Sequence, residues 1–288
     1  MLANFAGVLF DGIAYGSLLF LISVGLSVTM GMMNFINLAH GAFAMLGGYV
    51  SALLLARLGV PFLASLPLAF VAAAVVGLVL ERLLYRRLYQ ASHLDQVLFS
   101  IGLTFMAVAG ATYFFGPSQQ PVTLPDWLRG QVSLFGLDVG AYRVFLIAVV
   151  VLVTVALGLV IERTRFGAQI RAAVDNQTAS RGLGINVNLV FSLTFALGSG
   201  LAGLGGALGI DVLGLDPTFP VKYMVYFLLV VAVGGAGTIK GPLVAALLLG
   251  VFDVAGKYYV PEIGAFVIYA MMVVLLILFP AGLMRRRA

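Results

Sequence analysis

The run VFLIAVVVLVTVALGLVI at residues 144–161 carries no charge and does not alternate in polarity anywhere along its length. It comes close to the roughly 20 apolar residues that cross a bilayer as a helix, and similar runs recur along the chain. Residues 1–56 contain no Lys or Arg at all. Hydrophobic residues make up 62% of the sequence and charged residues 9%, against about 25% charged in a soluble domain, which excludes a single water-soluble core. A transmembrane barrel needs segments of about 10 residues with alternating polarity, a pattern these runs lack. The fold class read from the sequence is an all-α polytopic membrane protein.

Spans are predicted at 5–30, 39–57, 59–80, 96–116, 143–161, 189–210, 223–235, 241–256 and 263–282, giving about eight to nine transmembrane helices, broken or re-entrant segments included. Residues 1–288 read as a single transmembrane domain. The N-terminal MLANFAGVLFDG lacks the basic region of a cleaved signal peptide, so the first apolar run is expected to stay as a helix. Between Lys222 and Lys257 the chain must fit two spans and the turn GGAGTIKG (234–241), less than two full crossings require, so half-helices or a re-entrant pair are expected there. The run ALGSGLAGLGGALG (196–209) spaces Gly198, Ala202 and Gly206 four apart, with Ser199, Gly203 and Ala207 as a second row. Such rows let helix backbones approach closely in lipid and mark a packing helix at the centre of a bundle.

The net charge of +5 does not point to nucleic acid, because the basic residues sit in short segments between apolar runs. They are Arg82, Arg86 and Arg87, then Arg163, Arg165, Arg171 and Arg181, then Arg285, Arg286 and Arg287. Basic connections face the cytoplasm, which puts the C-terminus inside and, counting back through an odd number of crossings, the N-terminus outside. Arg57 and Arg143 fall on the other side, at span ends where their long side chains can reach the interface. Asp11 lies near the start of the first span and is assigned no role. The chain has no cysteine and two histidines, His40 and His93, so no metal site is expected. No G-x-x-x-x-G-K-[ST] phosphate loop, HExxH or GxSxG occurs, so the chain is not expected to be an enzyme or to bind a cofactor itself.

The loop ERTRFGAQIRAAVDNQTASRGLGINV (162–187) is too polar to be buried in lipid and contains a helix-like stretch, QIRAAVDNQTASR, ending at Gly182 or Gly184. It reads either as an ordinary basic cytoplasmic loop or as a docking helix for a cytoplasmic partner. Taken with YGSLLFLISVGLSVTMGMMNFINLAHGAFAMLGGYV (15–50), ERLLYRRL (81–88) followed by SIG at 100–102, and VGGAGTIKGPLVAALLLG (233–250), it makes the chain resemble the LivH-type branched-chain amino acid permease subunits of ABC importers. The resemblance covers essentially the whole chain. It implies an ABC importer permease bundle that moves small amino acids, branched-chain or hydrophobic, into the cytoplasm, with urea, amides or other small polar solutes as alternative cargo. The partners it implies are a second homologous permease, two cytoplasmic ATPase subunits that carry ATP and Mg, an extracytoplasmic substrate-binding protein and membrane lipid, in a bacterial plasma (inner) membrane. Residues 162–188 become the cytoplasmic coupling loop, with the ATPase-coupling role carried to Arg163, Arg165, Gly167, Arg171, Asn176, Ala179, Leu183, Gly184 and Ile185.

Two further segments are candidates for function. Gly234, Gly235, Gly237, Lys240 and Gly241 form either a tight glycine-permitted reversal or a gate near the cytoplasmic side. In MNFINLAHGAFAMLGG (33–48), Asn34, Asn37 and His40 lie three apart, on one face if the segment is helical. Three readings stand: the residues cap a broken helix, they line the substrate pathway, or they lie in a cytoplasmic turn. An ion-coupled secondary transporter would instead need an acid buried mid-span, and only Asp253 comes near, at a predicted span end. A membrane enzyme would need converging nucleophile and base. A bare channel leaves the 162–187 loop without a purpose.

Overall fold

In the computed structural model, residues 2–33, 35–122, 124–134, 136–279 and 282–283 are described, and Asn34 and the tail arginines 285–287 lie outside them. The first elements in chain order are α1 (Leu2–Met33), α2 (His40–Leu58), α3 (Phe62–Leu83), a 3-10 turn (Tyr85–Leu88), α4 (His93–Phe115) and α5 (Asp126–Arg129). A hairpin of β1 (Gln131–Leu134) and β2 (Leu137–Gly140) follows, then α6 (Ala141–Arg163), α7 (Arg165–Asp175) and α8 (Gln177–Gly182). The last four helices are α9 (Val187–Leu213), α10 (Phe219–Gly234), α11 (Lys240–Tyr259) and α12 (Gly264–Leu278). Seven of these helices are long and apolar enough to cross a membrane, and α10 and α12 are shorter apolar helices. The chain is an all-α polytopic membrane protein, as its apolar runs require.

The glycine rows of α9 explain its place at the centre. A Cβ on Gly206 would overlap the Ala44 carbonyl of α2, one on Gly47 of α2 would overlap Gly203, and one on Gly25 of α1 would overlap Gly198. Ser199 fills the groove left by Gly77 of α3. Close backbone approach of this kind maximises dispersion contacts where lipid tails supply no hydrophobic drive between helices. The outer helices behave differently: α4 and α6 present exposed Leu98, Phe105, Met106, Val151 and Leu152, the surface a bilayer solvates.

The helix ends fall into two groups. The ends of α1 and α6, the start of α9, the α10–α11 turn and α7 gather at one end, where Gly31 meets Gly237 and Gly167 meets Ile161. Tyr85 and Tyr89 reach the same end, in ring contact with Phe195 and Phe191 near the start of α9. Arg82, Arg86, Arg87, Arg163, Arg165, Arg171 and Arg181 belong to this basic end. At the other end Arg143 pairs with Asp11, and the Gln120 N–H donates to the Leu215 carbonyl. Asp11, given no role on sequence grounds, thus neutralises Arg143, which pairs rather than only reaching for the interface.

Three further expectations are corrected. Lys222 and Lys257 do not bound the α10–α11 pair, because α10 starts at Phe219 and α11 runs to Tyr259, which makes α11 a full-length helix and leaves only α10 short. Asp253 is not at a span end but within α11, 1% exposed, since the helix continues beyond it to Tyr259. The sequence around residues 131–140 was not read as strand, yet V-S-L and L-D-V pair antiparallel about Gly136, whose φ of 82° suits a tight hairpin.

Candidate functional site

The break at residues 35–39 is not helical, so Asn37 and His40 do not share a helix face. The reason is local. Asn37 folds its side chain onto its own backbone: Oδ1 accepts from the Ala39 N–H at 3.1 Å, an Asx turn that competes with helix. The same oxygen accepts from the Tyr85 hydroxyl at 2.9 Å. Helix α2 then starts at His40, preceded by Ala39 with no side-chain cap. His40 itself donates from Nε2 to the Ile22 carbonyl of α1 at 2.8 Å and is 3% exposed. Both side chains therefore face protein and have partners. Gly41 packs on Pro220, so the starts of α2 and α10 meet beside the break.

Below the break lies a polar cluster that sequence reasoning missed. Glu81, placed by its neighbours in a basic cytoplasmic connection, is fully buried at the end of α3. Its carboxylate accepts from the Tyr89 hydroxyl at 2.5 Å and from the Ser192 hydroxyl of α9. Burial pushes the Tyr85 and Tyr89 phenols well above their ordinary value, so both remain protonated donors. The sequence signal available was the pair of tyrosines one turn apart after Glu81, which only packing could assign to the interior.

The predicted coupling residues form one patch at the basic end. Thr164 caps α7 by accepting from the Gly167 N–H at 3.1 Å. Gly167 lies so close to the Ile161 carbonyl that no Cβ fits, and Arg171 donates to that same carbonyl. Ile170 and Ala173 turn inward, while Arg165 is exposed just beyond Arg163, the last residue of α6. The stretch 169–181 is two helices rather than one. Asn176, in extended conformation, ends α7 and caps α8 by accepting from the Ala179 N–H at 2.9 Å. Gly184 has a φ of 81°, the Ile185 N–H donates to the Ser180 carbonyl at 3.0 Å, and Leu183 is 81% exposed.

The glycine turn sits beside this patch. Gly235 and Gly237 have φ of 91° and 81°, and the Gly237 N–H donates to the Ser27 carbonyl at 2.8 Å. In return the Ser27 hydroxyl donates to the Thr238 carbonyl at 3.0 Å, while Gly241 packs on the Gly234 carbonyl. Between the turn, the end of α1 and α7 lies a cleft of about 710 Å³, lined by Val28, Gly31, Ile170, Arg171, Thr238 and Lys240. Both sequence-predicted elements, coupling loop and glycine turn, are thus brought together across one cleft, and Asn37 and His40 are held apart from it by internal partners. Among the described residues, no group of three His, Cys, Asp or Glu side chains converges on a metal position.

Residues 8–276 match the family described as the permease component of the branched-chain amino acid transport system. The chain belongs to that family. The permease is 28% identical to the high-affinity branched-chain amino acid transport system permease protein BraD of Pseudomonas aeruginosa, over 96% of this chain and 95% of the relative. It is 27% identical to LivH of Escherichia coli strain K12, over 96% and 94% of the two chains. A probable branched-chain amino acid transport permease protein LivH of Methanocaldococcus jannaschii is 29% identical over 94% of this chain and 88% of the relative. No solved structure matches. As a permease component, the chain is a multi-pass membrane member of a larger transport system rather than an enzyme in its own right.

Proposed function

We propose that this permease is one transmembrane half of an ATP-driven ABC importer that carries branched-chain amino acids across a bacterial plasma membrane into the cytoplasm. The observation that carries the reading is α7, a short helix locked to the end of α6 through Gly167 and Arg171 and facing the α10–α11 turn. A helix held so tightly transmits a push from outside as a rigid-body motion of the helices behind it. With no phosphate loop of its own, the permease takes that push from two ATPase subunits, which hold ATP and Mg and dock on α7 and α8. A second permease completes the pathway, and an extracytoplasmic binding protein delivers the cargo. The basic end faces the cytoplasm, which places the N-terminus outside.

The test is uptake of labelled L-leucine into proteoliposomes holding the permease with its partner subunits. Uptake is expected to require ATP and the ATPase subunits. Uptake at the same rate without those subunits sinks the importer reading.

A further inference from the structure

Charged side chains inside a bilayer are costly and turn toward one another or toward water. Among the described residues, the ion pair set deepest in the helices is Asp253 with Lys257, one turn apart on α11 with Nζ 2.5 Å from Oδ2. Asp253 lies about 20 Å along α11 from its basic end, at 1.5 Å per residue. It is 1% exposed, yet only one of its carboxylate oxygens is engaged, and Oδ1 is buried without a partner. A carboxylate normally accepts several hydrogen bonds, so an unused buried oxygen needs a reason.

The surroundings supply one. Lys257 is half exposed and lies 5.7 Å from the centre of the Tyr15 ring on α1. Tyr226 of α10 meets Tyr269 of α12 with ring centres 6.1 Å apart, and Lys222 lies 5.2 Å from the ring of Tyr223. Elsewhere these helices expose Val221, Val225, Phe266 and Val273, as lipid requires. A half-exposed ammonium beside a tyrosine ring, paired to a buried carboxylate, does not suit lipid, whereas a hydrated pathway suits it well.

We propose that Asp253 and Lys257, walled by Tyr15, Tyr226 and Tyr269, bind the charged head of a zwitterionic α-amino acid as it crosses the membrane. The inference rests on the importer reading and adds a substrate site to it. Asp253 Oδ1 accepts from the substrate ammonium, Lys257 swings from Oδ2 to the substrate carboxylate, and the tyrosine rings face the ammonium. The internal pair is exchanged for two pairs with the zwitterion, so no unpaired charge is buried at any stage. The site reads the head group that all such amino acids share. Asn37 Oδ1 and His40 Nε2 are taken up by internal partners and do not offer this.

The experiment uses the assembled importer in proteoliposomes and reads L-leucine uptake and ATP hydrolysis together. The double variant Asp253→Asn with Lys257→Met removes both charges at near-constant shape and buries no unpaired charge. It is expected to retain ATP hydrolysis while uptake falls at least tenfold. Lys257→Gln keeps a donor for Asp253 Oδ2 at a half-exposed position, which protects folding, and is expected to lose uptake in the same way. Uptake within twofold of the parent in either variant means the pair only ties α11 together, and overturns the inference. A parent complex that takes up no leucine sinks the importer reading, a result independent of both variants.

Discussion

Gly167 and Ile161 are in backbone contact: the first turn of α7 rests on the last carbonyls of α6 with no space for a side chain between them. The contact fixes the short helix to a membrane-spanning one, and Arg171 reinforces it by donating to the same carbonyl. Gly167→Val must lift α7 from α6. Uptake is expected to fall tenfold or more while ATP hydrolysis by the complex persists and the amount of permease in the membrane stays within about twofold. Joint loss of all three would show that the contact serves folding alone.

The α9 contacts predict stability effects unrelated to transport. Gly206→Val and Gly47→Val both force a side chain into a neighbouring backbone. Overpacking costs roughly 1–3 kcal/mol, and the upper half of that range is expected here because the obstructing atoms are backbone. Thermal unfolding in detergent should show it, whereas Gly102→Val, at a position with nothing near its added Cβ, should leave the midpoint unchanged.

His40 has a structural partner in the Ile22 carbonyl. His40→Ala removes this extra hydrogen bond to a carbonyl in the interior of α1, a loss of about 1 kcal/mol. Folded protein and uptake are therefore expected to fall in proportion. A variant that reaches the membrane in parental amounts but transports poorly would move His40 into the pathway.

Tyr85 donates to Asn37, and the removal of its hydroxyl leaves Asn37 Oδ1 with the Ala39 N–H alone. Tyr85→Phe is expected to cost about 1 kcal/mol, read as a lowered unfolding midpoint, with the turn at residues 35–39 retained. Asn37→Ala removes both bonds and should cost more than Tyr85→Phe. Equal costs would mean that the Asx turn contributes nothing.

Orientation follows from charge, and it can be read directly. A reporter fused at the N-terminus should be extracytoplasmic, and one inserted after Gly182 cytoplasmic. Both on the same side would contradict the odd number of crossings.

The class, most of the spans and the central helix were legible in the sequence. Apolar run length and glycine spacing act through local geometry, so 5–30, 39–57 and 189–210 fall close to α1, α2 and α9. The sequence also brought out the loop and the turn that meet across one cleft, because glycine and arginine at such density have few uses between spans. Tertiary structure alone decided which polar groups are satisfied. Asn37 and His40 look exceptional in an apolar segment, yet Tyr85 and Ile22 take them up from 48 and 18 residues away. Glu81 and Asp253 look ordinary near span ends, yet they are buried, one held by two hydroxyls and one with an oxygen unused. Hydrogen-bond satisfaction depends on neighbours that are remote in the chain, and one-dimensional spacing carries no record of them.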